Sequence, residues 1–264
     1  MRLINCKTLK LEFKELQDAP PYAILSHTYG GVTFADFNQT GREKLVGWEK
    51  ITLTCQQALQ DGLEYAWVDT CCIDKSSSAE LSQSINSMFK WYAHSHKCYA
   101  FLTDYSCSES TDEDFAKCNW FSRGWTLQEL IAPSTVMFFD KQGQYIGTKK
   151  DLSRQISQNI NINGDILTMT EFDAIRTRLY ACSVAQRMSW AATRKTKREE
   201  DIAYCLLGIF GISMPMLYDE GGRAFMRLQE EIIKETNDMT LFAWQTSDHD
   251  VAKSFNEMHP AAKT

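Results

Sequence analysis

The 264-residue chain lacks a basic excess: 34 acidic side chains outnumber 28 basic ones, the formal net charge is −6 and the pI is near 5.5. A surface that tracks a nucleic-acid backbone needs the opposite balance, so bulk nucleic-acid binding is excluded and only a local basic patch stays open. A long apolar run is also missing. The longest, Ile202 to Leu217, is broken by Gly208, Gly211 and Pro215 and is too short to span a bilayer. The first residues, Met1 to Lys10, are too polar for the hydrophobic region of a signal peptide. There is no internal repeat and no low-complexity tract. The nine cysteines are odd in number and scattered, several inside apolar runs where the thiol acts as a small hydrophobe. They describe no disulfide framework, and the chain is expected to be soluble, cytoplasmic and reduced.

What is present is an ordinary globular composition, 44% hydrophobic and 23% charged, long enough for one large domain or a domain with an appendix. Buried-strand patterns occur at Tyr22–Ser26, Glu64–Asp69, Lys97–Leu102 and Ser134–Phe139. Between them lie helical patterns: Gly47 to Gln60, with Ile51, Cys55, Ala58 and Leu59 on one stripe and Gly62 as the stop; Ser76 to His94; and Trp120 to Leu130. An acidic loop is expected over Ser106–Asp114. This alternation predicts an α/β fold, a mainly parallel sheet flanked by helices, with ligands bound at the carboxyl ends of the strands. Helical patterns dominate afterwards, at Lys150–Asn159, Ser183–Ala192, Arg198–Phe210 and Gly222–Glu235. The expected organisation is a core over 1–148, a helical extension packed on it over 149–246, and a tail over 247–264.

The segment from Trp120 to Pro133 sets an acid, Glu129, in an otherwise apolar and aromatic helix. Trp125 and Glu129 are four apart and share a helical face. A carboxylate there is expensive to desolvate unless it is paired or is needed for chemistry.

Three segments carry a family resemblance. Ala23-Ile-Leu-Ser-His-Thr-Tyr-Gly30, Gly62-Leu-Glu-Tyr-Ala-Trp-Val-Asp-Thr-Cys-Cys-Ile-Asp74 and Arg123-Gly-Trp-Thr-Leu-Gln-Glu-Leu130 resemble, in order, the signatures of the fungal heterokaryon-incompatibility (HET) domain. Arg187–Trp190, Arg198–Phe210 and Met216–Phe225 resemble its C-terminal flank, so the likeness covers almost the whole chain. Tyr29 stands where the family usually has Trp. The resemblance implies a role in cell death after fusion of unlike hyphae. It also implies a place at the front of a larger NOD-like receptor, with an NTPase and repeats behind it; the chain itself has no GxxxxGK[ST] phosphate loop. HET domains are in turn distantly similar to Toll/interleukin-1 receptor (TIR) domains, which implies a flavodoxin-like sheet. Many TIR domains hydrolyse NAD with a glutamate in a Trp-x-x-x-Glu pattern after the third strand, which Trp125 to Glu129 match.

By that resemblance Glu129 is the catalytic candidate, stabilising the oxocarbenium-like state as nicotinamide leaves ribose; the alternative is a carboxylate that pairs with Arg123 and tethers the helix. Ser26, His27, Thr28, Tyr29 and Gly30 are candidates for holding ribose or phosphate oxygens, or else they satisfy a turn. Asp69 either accepts from a ligand hydroxyl or the His27 ring, or closes a loop; Asp74 forms a turn. Cys71 is a candidate contact and, with His27 as base, an alternative nucleophile. Trp120 and Trp125 offer stacking surfaces, with core packing expected for at least one. Arg198–Asp201 reads as a charged helix start. His94, His96 and Cys98 do not have zinc spacing, and no metal is expected. No permanently bound cofactor is implied; NAD is the substrate, and self-association is the switch. The competing reading is a non-catalytic adaptor that assembles and recruits partners.

Overall fold

The computed structural model describes residues 1–28 and 31–242; Tyr29, Gly30 and the expected tail lie outside them. One seven-stranded sheet has the order β2-β1-β4-β3-β5-β6-β7. Its strands are β1 (Arg2–Asn5), β2 (Lys10–Phe13), β3 (Tyr22–His27), β4 (Tyr65–Trp67), β5 (Lys97–Phe101), β6 (Val136–Phe139) and β7 (Tyr145–Thr148). The central strands β4, β3, β5 and β6 run parallel, whereas β1, β2 and β7 join antiparallel at the flanks.

Taken in chain order, the parallel strands lie second, first, third, fourth across the sheet, which is the flavodoxin-like arrangement. The expected mainly parallel α/β fold is therefore the observed one. The flanking strands β1, β2 and β7 lack a sequence signature. Each is four residues long, and Lys10 and Glu12 sit on the outermost strand, where charge blunts an open edge.

Central strands covered on both faces are apolar without alternation, and Ala23, Ile24 and Leu25 are completely buried. The Trp48–Gln60 helix buries Ile51, Cys55 and Ala58 as expected, but Leu59 turns outward. The Ser78–His94 helix is capped by Ser77, whose hydroxyl accepts from the Glu80 amide at 3.3 Å.

Three local expectations are corrected. Strand β4 stops at Trp67, and Asp69–Cys72 forms a helical turn. The acidic loop gives way to a helix over Asp112–Lys117, opened by a Thr111–Asp114 capping box. The Trp120–Leu130 helix is two pieces, Asn119–Ser122 and Thr126–Ile131. Between them Arg123 is extended and bridges in parallel to Lys195: the Lys195 amide donates to the Ser122 carbonyl (2.7 Å), and the Gly124 amide to the Lys195 carbonyl (2.9 Å). Backbone groups satisfied by a distant segment are lost to the helix ladder.

Past β7 the described residues are mainly helical, and one continuous buried cluster runs from the sheet into this part. The Arg198–Phe210 pattern divides into Asp201–Tyr204 and Leu207–Phe210, while helices at Gly164–Thr168 and Phe172–Ala181 had no clear pattern. Among the described residues no helix is long and apolar enough to cross a membrane.

Candidate active site

A cavity of about 410 Å³ lies at the carboxyl end of β3, beside the point where the strand order reverses. Its floor holds Glu129, and its apolar wall is Ile73, Leu81, Ile85 and Met88. An adjoining lobe of about 480 Å³ shares His27, Asp69, Arg123 and Trp125 and adds Thr28, Thr70, Lys195 and Thr196.

Glu129 sits in the Thr126–Ile131 helix, every residue of which is buried, and is itself 8% exposed. Ser26, the penultimate residue of β3, donates its hydroxyl to Glu129 Oε2. Trp120 Nε1 donates to that same hydroxyl oxygen at 2.8 Å. A relay of indole, hydroxyl and carboxylate therefore fixes the Glu129 rotamer. Tyr92, whose hydroxyl donates to the Leu25 carbonyl at 3.0 Å, completes the surround.

Burial pushes the Glu129 carboxyl up to about 7, and the charge of Asp69 adds to the rise, while the Ser26 hydrogen bond and Arg123 oppose it. The ion pair to Arg123 that the alternative reading required is not found: among the described residues Glu129 has no ion pair within 4.0 Å, and the Arg123 guanidinium donates to the Thr28 carbonyl. The helix is held instead by Arg194, which donates to the Arg123 carbonyl (2.8 Å), the Thr126 hydroxyl (2.9 Å) and the Trp190 carbonyl (3.1 Å). Arg194 is buried, and its Nη2 has no partner among the described residues.

Burial pushes the His27 ring down to about 4, against the pull of Asp69, so it is neutral at physiological pH. Its Nδ1 lies 3.9 Å from Asp69 Oδ1, too far for a hydrogen bond. Burial alone would raise the Asp69 carboxyl, but Lys75, whose Nζ is 3.1 Å from Oδ2, helps to hold it below its ordinary value. Asp69 is thus an anion at the cavity wall.

The structure separates the candidates. His27, Asp69, Arg123, Trp125 and Glu129 line the cavity, and Thr28 the adjoining lobe. Ser26 is fully buried and supports Glu129 without facing the cavity. Tyr29 and Gly30 lie outside the described residues. Cys71 is fully buried and directs its thiol to the Val68 carbonyl at 3.9 Å, and burial raises that thiol well above its ordinary value. It lines neither lobe, so the cysteine-nucleophile alternative has no accessible thiolate. Trp120 is a core residue with no exposed surface. Among the described residues no group of three His, Cys, Asp or Glu side chains could hold a metal.

Sequence reasoning missed Tyr92, Lys75 and the whole contribution of the C-terminal part: Lys195, Lys197, Arg198, Asp201 and Tyr218. Arg198–Asp201 does open a helix, at Asp201, with Glu200 before it accepting from the amides of Asp219 (2.8 Å) and Gly221 (3.0 Å). Asp201 faces the cavity and accepts from the Tyr218 hydroxyl at 3.1 Å; burial raises its carboxyl, with Tyr218 and Trp125 opposing. The available signal was the basic run Arg194–Arg198 in an acidic chain.

Comparison with known proteins agrees with the motifs. Residues 22–115 match the family described as "Heterokaryon incompatibility protein (HET)", and residues 223–263 match a domain of unknown function (DUF8212). The chain is 45% identical over 230 residues to "Vegetative incompatibility protein HET-E-1" of Podospora anserina, a match that covers 82% of this chain and 16% of that protein. No solved structure matches. With His27, Asp69 and Glu129 from its three motifs brought to one cavity, the chain belongs to the heterokaryon-incompatibility (HET) family.

Proposed function

We propose that this chain is a cytoplasmic cell-death effector domain of heterokaryon incompatibility, and that it acts by hydrolysing the nicotinamide–ribose bond of NAD once self-associated. The observation that carries the reading is Glu129: a buried carboxyl lining a cavity with an apolar wall, held by Ser26 and without an ion pair among the described residues. A desolvated carboxylate is stabilised most when positive charge arrives, and both the nicotinamide ring of NAD and the oxocarbenium-like ribose supply it. Breaking the bond sends its electron pair to the departing nicotinamide nitrogen. Water then bonds to the ribose carbon and releases a proton to solvent. Neutral nicotinamide needs no acid to leave, which suits a site whose histidine is uncharged.

Self-association would bring neighbouring copies to the cavity mouth and raise their effective concentration, so activity increases on clustering. The much greater length of the Podospora relative fits a domain at the front of a larger receptor with an NTPase and repeats.

The test is chromatographic detection of nicotinamide release from NAD by concentrated and artificially clustered chain, with folded Glu129→Gln in parallel. Release by the wild type and loss in the variant is the expected result. Clustered, folded protein that leaves NAD intact but still kills would establish the adaptor reading in its place.

A further inference from the structure

The cavity has two adjoining lobes that share a charged boundary and differ in what lies beyond it. The inner lobe combines Glu129 with the apolar wall of Ile73, Leu81, Ile85 and Met88. Lys75, Arg123 and Lys197, against Asp69 and Asp201, line both lobes, and the outer lobe adds Lys195 with the hydroxyl residues Thr28, Thr70 and Thr196. In a chain of net charge −6 this is a local reversal of sign. The Lys195 and Lys197 side chains are exposed, but the backbone that carries them is anchored. The Lys195 backbone is bonded on both sides to the Ser122–Gly124 break, directly ahead of the Glu129 helix, and Arg194 is anchored in the core. A Cβ on Gly124 would stand 2.6 Å from Thr196 Cγ2, so this close approach requires glycine there.

We infer that Lys195 and Lys197, on the strap that follows the buried Arg194, form the diphosphate-binding half of the site, which makes the substrate a dinucleotide and not a phosphate-free nicotinamide nucleoside. The inference rests on the NAD reading for the identity of the inner-lobe ligand. Each half selects one part of the molecule: the cationic nicotinamide riboside end goes toward Glu129, and the diphosphate goes toward the strap. Ammonium groups attract phosphate oxygens as compact charges with charge-assisted hydrogen bonds. The same bonds tie substrate recognition to the helical C-terminal part.

The experiment uses the clustered full chain and two variants, Lys195→Ala/Lys197→Ala and Lys195→Arg/Lys197→Arg. Two quantities are read: the ratio of kcat/KM for NAD to that for nicotinamide riboside, and ADP-ribose affinity by calorimetry at low and high salt. Two lost charged contacts should lower both roughly tenfold or more in the alanine variant, with the arginine variant restoring most of the loss. ADP-ribose binding should weaken with salt in the wild type and less steeply in the alanine variant. An alanine variant with wild-type melting, unchanged preference and unchanged ADP-ribose affinity would overturn the inference, as would a wild type that does not bind ADP-ribose. Should ADP-ribose bind in a lysine-dependent manner while NAD stays uncleaved, the diphosphate subsite stands and the glycohydrolase reading falls.

Discussion

Replacing Glu129 with Gln should stabilise the protein at alkaline pH and not at acid pH. Burial raises this carboxyl from an ordinary 4.5 to about 7 in the folded chain. The folded state therefore holds the proton more tightly than the unfolded state. Stability is undiminished below pH 4.5, falls as pH rises through the window between 4.5 and about 7, and levels off above it. At about 1.4 kcal/mol per tenfold, the ionised carboxylate costs about 3 kcal/mol at pH 8. The group is 8% exposed, so solvent screening removes little of this. Gln carries no charge, and like the protonated acid it has a hydrogen to place, so the two proteins should match near pH 4.5. At pH 8 the variant should melt about 6–12 °C higher for a domain of this size. Thermal and urea unfolding of both proteins across this range measures the difference. A Glu129→Gln protein destabilised equally at both ends would show that the carboxylate anchors the helix and is not held there at a cost to stability. A gain confined to high pH is what a residue kept for chemistry at the expense of stability should give.

Other perturbations probe the supports. Ser26→Ala removes the donor to Glu129 and the acceptor of Trp120 Nε1 together; it should cost about 1–3 kcal/mol in urea unfolding. Because the Ser26 bond lowers the Glu129 carboxyl, the pH profile of NAD cleavage, rising through about 7 in the wild type, should move upward in this variant. Gly124→Ala brings a methyl to 2.6 Å from Thr196 and 3.1 Å from Cys205; about 1–3 kcal/mol of overpacking and a weaker KM for NAD should follow, whereas an unchanged KM would uncouple the strap from the site. Arg194→Met removes the donor to the Trp190 carbonyl and the Thr126 hydroxyl and one of two donors to the Arg123 carbonyl. Calorimetric melting should register a loss of about 3 kcal/mol or more.

The parallel strands and the long helices were readable because each carries a local pattern. Tyr22 to Leu25 is a continuous apolar run, and the Ser78–His94 helix has its cap and its buried face within a single turn-by-turn spacing. The edge strands were not readable, since four residues with one exposed face give no run and are made strands only by the neighbour they bond. The helix over Trp120–Leu130 had the right composition, yet it breaks where Lys195, seventy residues on, takes its backbone bonds. Cys71, an apparent strand-end ligand, is hidden because the chain turns helical at Asp69.

For the site, sequence by itself determined the chemistry on offer: Glu129, His27, Asp69, Arg123 and Trp125 stand at the ends of parallel strands and on the helix that follows, where α/β topology must gather them. Tertiary structure decided their states. It left Glu129 without an ion pair among the described residues, set Ser26 and Trp120 as its supports, neutralised His27 and closed the cavity with Lys195, Lys197 and Asp201. Residue type and spacing are local properties of the chain. Burial and the partner across a cavity depend on segments far apart in sequence, and it is these that set a group's charge and its availability.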